Sequence, residues 1–145
     1  MGTIRFRGKD IRTGEWRYGY YAVQHIANFD PHGNRSDSYT VRHAIFNDED
    51  GERSNGGYWK EVDENTVEQD TSLRDKFGKP IYEGDILAVN YADEKSYLEV
   101  RFVRGVFAFL WDGDLDDEFP CNAPTHEWAK VIGNIYDDPK LLKRH

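Results

Sequence analysis

The sequence predicts a mainly β fold, with a β-rich N-terminal subdomain of hairpin and meander over residues 1–70 and a small barrel with a short terminal helix over residues 71–145. Three observations carry this. Aromatic, Val and Ile residues number 38 against 16 Leu, Met and Ala, a bias that suits a pleated, half-buried surface. Apolar and polar residues alternate with period two in several short runs, as in strands with one face inward. Gly, Asp, Asn and Pro separate those runs, which is turn punctuation.

Ile4-Arg5-Phe6-Arg7 alternates, Thr13-Gly14 supplies a turn, and Trp16 to Val23 alternates at first, so this stretch reads as a hairpin. Residues 27–38, which contain Asp30-Pro31-His32-Gly33-Asn34, have turn chemistry and no period, and an exposed loop is expected. Tyr39 to Phe46 is a strand, Asn47 to Gly57 a polar connection, and Tyr58 to Val62 a short strand. Asp63 to Gln69 fits either one helical turn or an extended approach to the next block. That block opens near Thr71. Asp75-Lys76-Phe77-Gly78-Lys79 is a tight turn with Gly78 at positive φ, and Pro80 marks a strand start or edge. Ile81-Tyr82-Glu83-Gly84-Asp85 turns again before a strand from Ile86 to Tyr91. Tyr97 to Val103 and Val106 to Trp111 form a hairpin about Arg104-Gly105, followed by an acidic loop from Asp112 to Glu118. Glu127 to Ile135 is the last strand, with Gly133 at a bulge, and Asp138 caps a short helix that has Pro139 at its first position. About five short strands joined by tight turns fit a small barrel.

Charge narrows the partners. Residues 1–46 carry seven Lys/Arg against four Asp/Glu, whereas residues 47–145 carry 12 against 23, for a net charge of −8. Such an acidic body repels a phosphate backbone, so general nucleic-acid binding is disfavoured. The exception is local: Arg5, Arg7, Arg12 and Arg17 crowd beside Trp16 and Tyr18, a mixture of cations and rings able to stack on bases. An acidic surface that mimics DNA toward a host protein is a further reading of the same imbalance. No apolar run approaches the roughly 18 residues of a membrane helix, and the start lacks the apolar stretch of a signal peptide. No membrane association and a cytoplasmic location are therefore expected. The single cysteine, Cys121, excludes an internal disulfide.

No catalytic constellation stands out. His25, His32, His43, His126 and His145 show no metal-ligand spacing, and His43 reads as a half-buried strand residue with a satisfied nitrogen. Asp112-Gly113-Asp114-Leu115-Asp116 opens like a calcium loop, but Asp117 and Ala123 stand where the glycine and the bidentate glutamate belong. Neither a nucleophile elbow nor a phosphate loop occurs. No enzyme activity, metal or cofactor is expected.

Three stretches resemble a known family. Thr71-Ser72-Leu73-Arg74-Asp75-Lys76-Phe77-Gly78-Lys79-Pro80-Ile81-Tyr82-Glu83-Gly84-Asp85-Ile86-Leu87 is similar to the central motif of YopX-like proteins of phages and prophages. Ile4-Arg5-Phe6-Arg7-Gly8-Lys9-Asp10 resembles their opening, and Trp128 to Tyr136 followed by Asp138-Pro139-Lys140-Leu141-Leu142 resembles their ending. The chain departs from the family pattern at Ser72, where glycine is usual, and at Phe77, where a polar residue is usual. The resemblance implies an SH3-like barrel in the C-terminal part, self-association, and a molecular function that is uncharacterised. It brings no catalytic residues. Turn chemistry alone accounts for the central motif: Gly78 and Gly84 permit turns, Asp75 and Asp85 bond nearby amides, and Ile81, Tyr82, Ile86 and Leu87 face a core. The expected protein is a non-enzymatic interaction protein of a bacterial host's cytoplasm, forming homo-oligomers and meeting host or phage proteins through β-rich surfaces.

Overall fold

The computed structural model describes residues 4–47, 59–91, 93–120 and 125–142. The expected connection beyond Asn47, Tyr58, Cys121 and His145 lie outside these. The chain divides into two compact units, Thr3–Val67 and Glu68–His145.

In the N-terminal unit, β1 (Phe6–Lys9), β2 (Trp16–Phe29), β3 (Arg35–Phe46) and β4 (Trp59–Glu61) form an antiparallel sheet in the order β4-β3-β2-β1. The first hairpin pairs Phe6 with Gly19 and Lys9 with Trp16. Gly19 admits no other residue without rearrangement: its φ is +152°, and a Cβ there would lie 1.9 Å from the Phe46 carbonyl oxygen. Ala44, Ile45 and Val62 are buried. Asp63 to Gln69 realises both local options, a 3-10 turn at Glu64–Thr66 and then a strand from Glu68.

The loop expected over residues 27–38 is a correction. Both strands continue into it, and only Asp30 to Asn34 turns. The Asp30 carboxylate accepts the amides of His32 and Asn34, both at 2.9 Å, which closes a tight connection. Polar cross-strand bonds, Thr40 to Asn28 at 2.7 Å and Asn28 to Ser38 at 3.2 Å, extend the ladder without any apolar alternation to announce it.

In the C-terminal unit, β5 (Glu68–Arg74) and β6 (Pro80–Tyr82) form a hairpin. A five-stranded antiparallel sheet follows in the order β10-β9-β8-β7-β11, from β7 (Asp85–Tyr91), β8 (Glu94–Val103), β9 (Val106–Trp111), β10 (Glu118–Pro120) and β11 (Lys130–Asn134). Its core joins Ile81, Leu87, Val89, Leu98, Val100, Phe109, Ala129 and Val131, with Leu73, Trp111 and Trp128 packed around it. Arg104 and Gly105 both have positive φ, the geometry of a two-residue hairpin turn. The register slips between Val131 and Gly133, placing the bulge beside Gly133.

Two ends differ from expectation. The strand expected from Glu127 begins at Lys130, because Thr125–Trp128 (α1) is a single helical turn whose Thr125 hydroxyl donates to the Arg74 carbonyl at 2.9 Å. The terminal helix is one 3-10 turn, Pro139–Leu141. Asp138 does not cap it, because its carboxylate accepts the Asn134 amide at 3.2 Å instead. Among the described residues no helix is long and apolar enough to cross a membrane.

Candidate functional site

Among the described residues, the outer part of β2 and β3 departs from a closed core. β1 pairs with β2 only as far as Gly19, and β4 pairs with β3 only from Ala44 onward. Beyond those points the pairs Val23–His43, Gln24–Arg42, His25–Val41, Ile26–Thr40 and Ala27–Tyr39 form a two-stranded ribbon roughly 20 Å long. Residues directly opposite in an antiparallel pair share a face. One face therefore carries Gln24, Arg42, Ile26 and Thr40, with Asn28 next in the row. The other carries Val23, His43, His25, Val41, Ala27 and Tyr39, with Phe29 next in the row. Val23 is 43% exposed, Val41 48%, Tyr39 51% and Phe29 65%. This row continues the side of the sheet that holds Tyr21 and Ile45 at its root.

A hydrogen-bonded chain fixes that root. The Tyr21 hydroxyl lies 2.5 Å from His43 Nδ1, and His43 Nε2 lies 2.9 Å from the Glu64 carboxylate. Burial, with the Glu64 charge second, raises the Tyr21 phenol above its ordinary value. The phenol thus stays protonated, and because the Glu64 carboxylate only accepts, Nε2–H donates to it, which on a neutral ring leaves Nδ1 to accept from the phenol. A phenol held this way is no nucleophile. The Tyr21 ring lies nearly parallel to that of His43 and packs on Phe6 at 5.5 Å, so the chain locks β2, β3 and the 3-10 turn together.

The basic aromatic hairpin is brought together only in part. Arg7 and Lys9 share a face with Trp16 and Tyr18, their guanidinium and ammonium groups 4.6 and 5.4 Å from the Trp16 ring. Arg7 is only 5% exposed. Arg17 pairs with Gly8 on the opposite face, where Asp10 holds its guanidinium at 3.0 and 3.1 Å. Burial raises the Asp10 carboxyl, but the Arg12 amide, Arg17 and the Thr13 amide outweigh it and hold it below the usual range. Arg12 sits exposed in the turn and Arg5 is half-buried. The four arginines do not form one accessible row.

The central turn motif holds the C-terminal unit. Buried Asp75 accepts the Phe77 and Lys79 amides at 2.9 Å and, across the fold, the Val131 amide at 3.0 Å. Burial pushes this carboxyl up, yet those three amides and the Lys79 charge bring it below its ordinary value. Asp85 accepts the Tyr82 amide at 2.8 Å, and Gly78 and Gly84 have φ of +81° and +84°. Ser72, where the family usually has glycine, adopts φ +68°. Phe77 is exposed, with the ammonium groups of Lys76 and Lys130 within 6 Å of its ring, at 5.5 and 5.8 Å.

Sequence reading missed the ribbon and the Tyr21–His43–Glu64 chain. Only the termination of the β1 and β4 pairings exposes the ribbon, and no local spacing links Tyr21 to Glu64. Among the described residues no group of three or more His, Cys, Asp or Glu is placed to hold a metal ion.

Among solved structures, protein EF1440 from Enterococcus faecalis is similar at 25% identity, over 97% of this chain and 99% of that one, with a TM-score of 0.49. Protein yopX from Bacillus subtilis is similar at 20% identity, over 100% and 99%, with a TM-score of 0.50. No curated protein matches the chain. The family model described as YopX protein matches residues 5–143, and the chain belongs to that family.

Proposed function

We propose that this is a non-enzymatic, phage- or prophage-encoded interaction protein of the bacterial cytoplasm that assembles with copies of itself through the apolar face of the β2–β3 ribbon. The observation that carries the reading is the exposed row of Val23, Val41, Tyr39 and Phe29. Isolated two-stranded ribbons are marginal in water, and an apolar face on one favours a covered state. Charge favours a second copy as the cover. The chain carries −8 overall, but from Tyr20 to Phe46 the charged residues are Asp30, Arg35, Asp37 and Arg42, which cancel. Two acidic chains approach there with least repulsion. A two-fold contact of this face with the same face of a second copy is isologous and closes on itself. The C-terminal sheet, read as a small SH3-like barrel, serves as the scaffold.

Light scattering on the wild type and on the double variant Phe29→Ser, Val41→Thr tests this. Wild-type oligomers that dissociate at least about tenfold more readily in the variant support it. A monomeric wild type, or a variant that stays assembled, contradicts it.

A further inference from the structure

The C-terminal unit exposes a basic turn and an acidic loop, each built around one apolar side chain, that the ribbon contact does not use. The basic one is the turn of the central motif. Phe77 is 71% exposed there, and Arg74, Lys76, Lys79 and Lys130 are exposed with it. The ammonium groups of Lys76, from the turn, and Lys130, from β11, lie 5.5 and 5.8 Å from the Phe77 ring, so cations from two elements rim it. The backbone beneath is fixed: the Lys76 amide donates to the Ala129 carbonyl and the Arg74 guanidinium to the Gly78 carbonyl, both at 2.9 Å.

The acidic loop has the opposite rim. Leu115 is 56% exposed, and exposed Asp116 and Asp117 follow it. The Trp111 amide donates to the Asp117 carbonyl at 3.1 Å and the Asp116 amide to the Asp114 carboxylate at 2.9 Å, which closes the loop on itself. Phe77 and Leu115 are both exposed within one copy, so neither covers the other there. An apolar side chain rimmed by cations and one rimmed by acids are complementary in charge and in character, and a second copy of the chain supplies the match. Single-stranded nucleic acid fits less well. Lys76 and Lys130 already lie over the ring on which a base would stack, and residues 68–145 carry 10 Lys/Arg against 16 Asp/Glu.

We propose that the Phe77 turn of one copy docks on the 112–118 loop of a second copy, Phe77 meeting Leu115 while Lys76 and Lys130 face Asp116 and Asp117. This contact joins two different surfaces, whereas the ribbon contact sets one face against itself, and it does not depend on that contact. It is weak alone, because exposed ion pairs are screened and one ring on one leucine falls far short of the roughly 1,200 Å² of a stable interface. The test uses the full chain carrying Phe29→Ser and Val41→Thr, which leaves the ribbon out, so that failure of this contact and failure of the ribbon reading are separable. Amide shifts are followed from about 50 μM to about 1 mM chain. Concentration-dependent shifts confined to residues 74–79, 130 and 112–118 are expected, with the association weakened at least about tenfold in Lys76→Glu, Lys130→Glu and equally in Asp116→Lys, Asp117→Lys. Mixing these two reversed chains should restore it, since each then meets its opposite charge. Leu115→Ser, which leaves every charge in place, should weaken it as well. No concentration-dependent shift up to about 1 mM overturns the proposal, as do shifts centred elsewhere or folded reversed chains that fail to complement. Shifts at Phe77 from a single strand of about 12 nucleotides, with none from added chain, also overturn it and assign the turn to nucleic acid.

Discussion

In the C-terminal unit Leu87, Leu98 and Phe109 lie on neighbouring strands and are fully buried, whereas in the N-terminal unit Val23, Val41 and Tyr39 lie on neighbouring strands and are exposed. Both sets come from β-branched and aromatic residues in antiparallel strands. The difference is what flanks them. β7, β8 and β9 are each paired on both edges, and their apolar side chains share a core with Ala129 and Val131. β2 and β3 run past the last pairs made by β1 and β4, so their outer apolar residues have no described layer over them. The same pattern makes a core where strands are flanked and an exposed apolar surface where they outrun their neighbours.

Disturbing one buried position in each unit should break the two regions separately. Asp75→Ala leaves the Phe77, Lys79 and buried Val131 amides without their acceptor, and a loss of about 3 kcal/mol or more is expected in urea unfolding. Because the folded Asp75 carboxyl lies below its unfolded value, its contribution is present above about pH 4 and is lost as pH falls through the folded value. Asp75→Asn should therefore flatten the acid limb of the stability profile. Gly19→Ala forces a Cβ into the Phe46 carbonyl and should cost about 2–3 kcal/mol, read as lost amide dispersion confined to the N-terminal unit.

Smaller changes sharpen the contrast. Ser72 holds a left-handed φ, so Ser72→Gly relieves about 1 kcal/mol of backbone strain while loosening the unfolded chain. A net gain near 0.5 kcal/mol in thermal unfolding is expected. Phe29→Ser with Val41→Thr should change the stability of the dissociated chain by no more than about 0.5 kcal/mol, because both side chains are exposed within one copy. A large loss in that chain would mean the row packs within its own copy.

Legibility followed the range of the forces. Turns around Gly78, Gly84 and Arg104-Gly105 are specified by the residues that make them, as is the bulge beside Gly133. The departure at Ser72 marks a position where local sequence and local conformation disagree. The ribbon was hidden because its polar pairs, such as Asn28 with Thr40, lack the alternation that signals a buried face. The helical turn before β11 was hidden because Trp128 and Ala129 suit a strand equally well, and a long-range bond from Thr125 decides the matter. The Tyr21–His43–Glu64 chain depends on β2, β3 and a distant turn meeting, which no window of sequence contains.

Hydrogen exchange of the wild type as a function of protein concentration tests the self-assembly account most directly. Amides of residues 23–42 should gain protection as concentration rises through the assembly range, while those of β7 and β8 exchange alike throughout. Unchanged exchange across 23–42 while the oligomer forms would show that another surface joins the copies.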